Sequence, residues 1–302
     1  MNLNMKKIVM ALLTVCLVFQ AGAQQLQTSS FYDMQGVLHN PSTAGVNFSK
    51  MIGATYRTQW SGISGAPRTA NVFGSFDLPD QKLGLGGYLY SDKTGPTSRT
   101  GLQLAVAKHI PVGDDGNFSL GIEGRFQQFS INKGELSSEL GNDPAIGAAN
   151  NRFKADAGFG MSYTNKKFQV GASVSQLLQS KLDFYEGNLS TGAQARLYRH
   201  YYFHGSYNWQ TDAETVIRPN VLVIYLPNAP TEVQTGVRVE HKSVFWWGAA
   251  WRWKQQVMLS AGVNVGKNFN IGYSFDVYQR PVQTVYGGLF GHEFLLRYSI
   301  AK

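Results

Sequence analysis

Histidine is the side chain best suited to acid–base work and metal binding near neutral pH, and the chain has six. His200 and His204 stand four apart, the spacing that chelates a metal on a helix. Their segment, Arg199-His200-Tyr201-Tyr202-Phe203-His204, reads instead as a strand, which separates side chains four apart by about 13 Å. Neither that separation nor the neighbouring residues complete a zinc ligand set, so no metal site is expected. A serine nucleophile has no setting either: Gly-x-Ser-x-Gly is absent, and Gly62-Ile63-Ser64-Gly65 lacks the second spacing. Gly84-Leu85-Gly86-Gly87 lies in a strand pattern with no helix after it, which removes the phosphate-loop and dinucleotide readings. The expectation is a protein that is not an enzyme and takes no cofactor.

A second constellation is made of charges that fall on one face of alternating segments: Arg57, Glu123, Arg125, Asp156, Glu232, Arg238, Arg252, Asp276, Glu293 and Arg297. Mixed signs in similar numbers predict mutual pairing, in contrast to the single-sign ring of an ion-selective pore. Glu123, Arg125, Asp156, Arg238, Arg252 and Arg297 are the candidate network inside a lumen.

Strands are needed to point such a set inward. Period-two alternation recurs along the chain in segments of about ten residues broken by turn residues, the pattern of a transmembrane barrel. Val257, Leu259, Ala261, Val263 and Val265 alternate with Met258, Ser260, Gly262, Asn264 and Gly266; Phe269, Ile271, Tyr273, Phe275 and Val277 alternate with Asn270, Gly272, Ser274 and Asp276. About fourteen such segments run from 50–60 to 291–300, an even number as single-chain bacterial barrels have. Composition agrees. Charged residues are 15% against roughly 25% in an ordinary soluble domain, aromatics are 13% and glycines number 33. The mean hydropathy of −0.21 is far from that of a helical membrane protein. The expected fold is all-β, a transmembrane antiparallel β-barrel of the outer membrane with about fourteen strands. Tyr56, Trp60, Tyr90, Tyr163, Tyr225, Trp251, Trp253 and Tyr278 are expected in its interface girdles. Pro219, inside one segment, predicts a bulge or a strand boundary.

The first residues read as a leader. Lys6-Lys7 precede an apolar run from Ile8 to Phe19 and then Ala21-Gly22-Ala23, so residues 1–23 are expected to be a signal peptide, with the single cysteine, Cys16, inside it. Residues 24–49 are expected to be a short N-terminal segment, either periplasmic or plugging the lumen, and residues 50–302 the barrel. The formal charge is +8, but its bases are scattered, so no nucleic-acid partner is expected. With both barrel termini in the periplasm, odd-numbered connections face outward. The longest are odd-numbered, around Gly134 to Asn151, Gln179 to Gly192 and Gln279 to Gly291, whereas Asn165-Lys166 and His241-Lys242-Ser243 are tight even-numbered turns.

The stretch Tyr56-Arg57-Thr58-Gln59-Trp60-Ser61-Gly62-Ile63-Ser64-Gly65-Ala66-Pro67-Arg68-Thr69 resembles the signature of the PorP/SprF family of type IX secretion system outer-membrane proteins. Three further stretches resemble that family in the same order: Asn40-Pro41 with Ala44-Gly45, Asp92-Lys93-Thr94-Gly95-Pro96 in the second outer loop, and Gly291-His292-Glu293 opening the last strand. The signature positions are thus Asn40, Pro41, Arg57, Gln59, Trp60, Gly65, Ala66, Pro67, Thr69, Asp92, Gly95, Pro96, His292 and Glu293, expected to act structurally, the Gly and Pro residues as turn formers. The resemblance implies a non-catalytic barrel, set in outer-membrane lipid. It would work with other type IX secretion components and help attach secreted cargo, such as an adhesin, through the cargo's C-terminal sorting domain. The alternative is a substrate-specific or passive outer-membrane transporter with an N-terminal plug.

Overall fold

A computed structural model describes residues 28–132, 134–135, 151–181, 197–227, 229–279 and 290–301. Fifteen strands form one sheet: β1 Lys50–Thr58, β2 Arg68–Leu78, β3 Leu83–Thr94, β4 Thr97–Val112, β5 Gly116–Ile131, β6 Asn151–Thr164, β7 Phe168–Ser175, β8 His200–Tyr207, β9 Trp209–Gln210, β10 Thr215–Tyr225, β11 Glu232–His241, β12 Phe245–Arg252, β13 Gln256–Val265, β14 Phe269–Tyr278 and β15 Phe290–Ile300. Each pairs antiparallel with the next, except that β8 and β9 both pair with β10, and β1 pairs with β15 from Lys50↔Ile300 to Thr58↔His292, so the sheet closes on itself. Closure removes the two free edges that an open sheet would expose to lipid, the requirement for a sheet that spans a membrane.

Strands β8 and β9 are one stave in two pieces, which makes fourteen staves. Both pair with β10 in the same register, Asn220↔Ser206 and Val216↔Gln210, with the break at Asn208. That break lies opposite Arg218 and Pro219. Proline has no N–H to give the ladder, while on its other side β10 stays in step through Arg218↔Arg238, Pro219↔Val237 and Asn220↔Gly236. Pro219 is therefore neither a bulge nor a boundary: it sits in a continuous strand and interrupts its neighbour. The Arg218 side chain bridges the gap, donating from Nε to Asn208 Oδ1 at 3.0 Å.

Outward positions are apolar, among them Ile52, Val72, Leu89, Leu104, Ile122, Leu259, Ile271 and Leu296, each between 48% and 63% exposed. Inward positions alternate with them and are buried, as in the eBeBeBiBiB pattern of β14. Tyr56, Tyr225, Trp251 and Trp253 lie on the exposed face as girdle residues should. Tyr90 and Tyr278 do not. Both point inward and are buried, because their hydroxyls have partners there: Tyr90 donates to Gln127 at 3.0 Å, and Tyr278 accepts from Gln59 at 3.2 Å.

The rim holding Lys50 and Ile300, here the terminal rim, carries tight turns at 79–82, 113–115, 165–167, 211–214, 242–244 and 266–268. At the far rim the connections range from the two-residue Gly95-Pro96 turn to the spans 132–150, 176–199 and 279–289. Most of the three long ones, like residues 1–27, lie outside the described residues. Asp92, Lys93 and Thr94, expected in an outer loop, are paired residues of β3. Gly95 takes φ +54° ahead of Pro96, the backbone demand of a type II′ hairpin, and this tightens the loop to two residues.

The described residues before β1 lie inside the barrel. They form a 3-10 turn at Tyr32–Met34, one α-turn at Gly36–His39 and a second 3-10 turn at Pro41–Thr43. Phe31 and Leu38 pack with the inward Met51, Phe73, Tyr88, Tyr90, Trp246 and Leu295, so the barrel has a hydrophobic core within its lumen. The inner wall gives way where the plug backbone runs closest. A Cβ at Gly121 would strike the backbone of Pro41 and Ser42, and one at Gly84 the carbonyl of Ala44. Gly121→Val is expected to destabilise the docked segment by about 1–3 kcal/mol while the sheet still closes. Faster proteolytic cleavage within 29–46, with unchanged β-sheet circular dichroism, is the measurement that checks this.

Candidate functional site

The polar interior is organised around one buried group of charges near the far rim. Inward-facing positions of three neighbouring strands supply it: Arg57 on β1, Asp276 on β14 and Glu293 on β15, none more than 1% exposed. Arg57 Nη1 lies 2.6 Å from Asp276 Oδ2 and 3.2 Å from Glu293 Oε2. Two carboxylates against one guanidinium leave an excess negative charge, which burial makes costly unless donors surround it. The plug supplies them. Ser29 Oγ donates to Glu293 Oε1 at 2.7 Å, the Ser30 amide to Glu293 Oε2 at 2.6 Å, and Ser30 Oγ to Asp276 Oδ1 at 2.9 Å. Ser274 and Gln256 add donors to Asp276 from the wall, and Gln35 Nε2 donates to Ser29 Oγ at 2.9 Å.

Further anchors follow along the plug. Arg125 Nη2 donates to the Leu38 carbonyl at 3.0 Å while its Nε pairs with Glu123 at 2.5 Å. Gln103 Nε2 donates to the Val37 carbonyl at 2.8 Å and also bonds Glu123. Asn40 caps the second 3-10 turn by accepting from the Ser42 amide at 3.0 Å, and its Nδ2 reaches the Met161 carbonyl, also at 3.0 Å. The plug's Asp33 pairs with Arg238 at 2.7 Å. Asp156 Oδ1 accepts from the amides of Ala157 and Leu178, Arg252 donates to Gln234 Oε1, and Arg297 stands 5.1 Å from the centre of the Phe48 ring. Among the described residues, pairing between inward wall charges is therefore confined to Arg57 with Asp276 and Glu293, Arg125 with Glu123, and the half-exposed Arg218 with Glu240. Of the other inward charges, Arg238 and Arg297 meet the plug, Asp156 and Arg252 bond uncharged wall groups, and Glu232 stands half-buried at the start of β11.

The signature positions meet in pairs. Arg57 joins Glu293, and Gln59 joins the Tyr278 hydroxyl beside Trp60, whose ring crosses Tyr278 at 6.3 Å. Thr69 donates to Asp92 at 2.6 Å, and the Gly95 amide donates to the Gly65 carbonyl at 2.8 Å, which joins the Gly65-Ala66-Pro67 loop to the Gly95-Pro96 turn. His292 faces the other way, 2.7 Å from the Tyr273 hydroxyl on the outer side. His200 and His204 are separate: His200 Nδ1 bonds the Tyr198 carbonyl, and His204 lies 3.0 Å from Asn40 Nδ2. Sequence reasoning missed Ser29, Ser30, Asp33 and Gln35. Nothing in their spacing marks them, because their partners lie as much as 264 positions away.

A closed fourteen-stave antiparallel barrel, apolar outside and filled with polar groups within, defines an outer-membrane β-barrel protein. Solved structures agree on the fold. The Ralstonia pickettii toluene transporter TbuX matches with a TM-score of 0.54 at 10% identity, over 88% of this chain and 93% of its own. The CymD monoaromatic hydrocarbon channel gives 0.52 at 9%, over 89% and 93%, and Acinetobacter baumannii outer membrane protein Omp33 gives 0.51 at 6%, over 85% and 100%. No curated protein sequence matches the chain. The description "Type IX secretion system membrane protein PorP/SprF" matches residues 21–298, and the chain belongs to that family.

Removing Arg57 strands two buried carboxylates, so Arg57→Met is expected to cost about 3–5 kcal/mol. Arg218→Met, in a half-exposed pair, should cost at most about 1 kcal/mol, and urea unfolding of the folded barrel in detergent distinguishes the two. Burial, together with His204, Arg125 and Arg252 nearby, holds the His39 imidazole down to about 3 from its usual 6.5. A released plug would take up a proton below pH 6.5 that the docked plug refuses, so docking is strongest above that pH and weakens as pH falls toward 3. Hydrogen exchange of residues 36–44, corrected for intrinsic rate, should therefore accelerate between pH 7 and pH 4, and His39→Gln should flatten that dependence.

Proposed function

We propose that this barrel is a non-catalytic component of the type IX secretion system that helps secreted proteins with C-terminal sorting domains reach and stay on the cell surface. One observation carries the reading: the lumen is occupied by the chain's own residues 29–46, bonded to strands around the wall, so the fold is that of a filled scaffold. The family membership supports the secretion context. In this reading both termini of the barrel are periplasmic, the terminal rim faces other secretion components, and the far rim, with its longer connections, faces the cargo. The cargo-binding segments are the connections around Gly134 to Asn151, Gln179 to Gly192 and Gln279 to Gly291. The signature loops at 59–67 and 95–96 brace that rim.

Deleting the gene should remove cargo from the surface, measured by mass spectrometry of surface and medium fractions. Loss of one large cargo would identify a dedicated anchor, and loss of all sorting-domain cargo a core component. Shortening the three far-rim connections in a barrel that still assembles should release cargo into the medium; unchanged surface retention would overturn the proposal. A transporter with an N-terminal plug is the competing function, and steady single-channel conductance with an unchanged surface proteome would favour it.

A further inference from the structure

Beneath the plug, the terminal-rim half of the barrel is a cup of about 740 Å³, opening among the turns at 165–167, 242–244 and 266–268. That volume suits a drug-sized ligand or a few residues of peptide. Arg218, Arg238, Lys242, Lys267 and Arg297 line it, against two acids, Asp33 and Glu240. Arg218 and Arg238 are directly opposed across β10 and β11, an arrangement of like charges that is unfavourable without anions beside it. Among the described residues each is met by one acid, Glu240 at 3.0 Å and Asp33 at 2.7 Å, and Arg238 keeps Nε and Nη1 buried without a hydrogen-bond partner. Lys242 has Glu214 at 3.5 Å. Among the described residues Arg297 and Lys267 have no acidic partner, and Arg297 Nε is also buried without a hydrogen bond. Phe48 and Phe168, both half-buried, add apolar surface to the same cup, whereas Trp246 is only 2% exposed and has Arg238 4.4 Å over its ring.

We infer that this cup binds an acidic peptide segment of a partner protein. Its carboxylates complete the bonding of Arg297, Lys267 and the free edge of Arg238, and its apolar side chains lie on Phe168 and Phe48. Guanidinium groups take carboxylates in a planar two-point fit, and the aromatic surface gives a peptide an advantage over a small inorganic anion. The inference stands apart from the secretion reading, because it concerns only the chemistry of the cup.

The test uses the full barrel in detergent and two labelled hexapeptides, one alternating Glu with Leu and one alternating Gln with Leu, read by fluorescence polarisation. The Glu peptide should bind about tenfold or more tighter than the Gln peptide, with an affinity that falls as salt rises. Arg297→Gln combined with Lys267→Gln should abolish that preference. Lys93→Gln, which removes one charge near the far rim, should leave it intact. Gel mobility with and without heating establishes that each variant is folded, and weaker binding of both peptides in Phe168→Ala places their apolar side chains in the cup. Equal affinity for the two peptides, no binding of either, or a preference that survives the double substitution would overturn the inference.

Discussion

The interior depends on a charge imbalance that the wall cannot correct alone. Arg57 faces Asp276 and Glu293 in a region closed to water, and one guanidinium cannot satisfy two carboxylates. Serine hydroxyls and a backbone amide from residues 29 and 30 supply the missing donors. The wall and the segment that fills it are thus parts of one electrostatic unit. Because β1 pairs with β15, closure of the sheet is also what brings Arg57 beside Glu293. The charge group therefore forms at the seam where the first and last strands meet.

That anchor near the far rim sets the course of everything before β1. From Ser29 the segment must travel the length of the lumen to reach Lys50 at the terminal rim, and each stage of the descent leaves its mark on the wall. Phe31 and Leu38 require apolar inward residues such as Phe73, Trp246 and Leu295. Carbonyls of the short α-turn require the donors of Gln103 and Arg125. The 3-10 turn at Pro41 approaches so closely that β5 must present glycine at position 121. A lumen that is part hydrophobic core and part hydrogen-bond network follows from packing a real chain segment there. Water alone would have been content with polar side chains throughout.

Below the plug the balance changes sign. The acids are concentrated around Arg57 and Arg125, while the cup at the terminal rim is lined by bases with fewer acids among them. The two ends of one interior thus present different chemistry, the upper rich in acids that the plug bonds and the lower rich in bases. The break between β8 and β9 falls at this lower end, where Arg218 serves both Asn208 and Glu240.

Much of this was legible in the residues. Alternation separated lipid-facing Ile271 from lumen-facing Asp276, an even strand count followed from turn residues, and the signature stretches around Trp60 and Gly95 pointed to the family later matched over residues 21–298. These are local properties: a period of two and a turn-forming Gly-Pro pair are written within a few residues of chain. Tyr90 and Tyr278 share the parity of the lumen-facing positions and still read as girdle residues by type, because an aromatic with a hydroxyl suits either a membrane interface or a buried hydrogen bond. Pro219 was similarly ambiguous, since only the neighbouring strand reveals which side of the ladder lacks a donor. The partners of Ser29, Ser30 and Asp33 lie more than 200 positions along the chain and are neighbours only once the barrel has closed. Strand, face and family were thus determined by sequence, whereas the filling of the lumen was decided by tertiary structure, because complementarity between distant residues exists only after the sheet has joined its own ends.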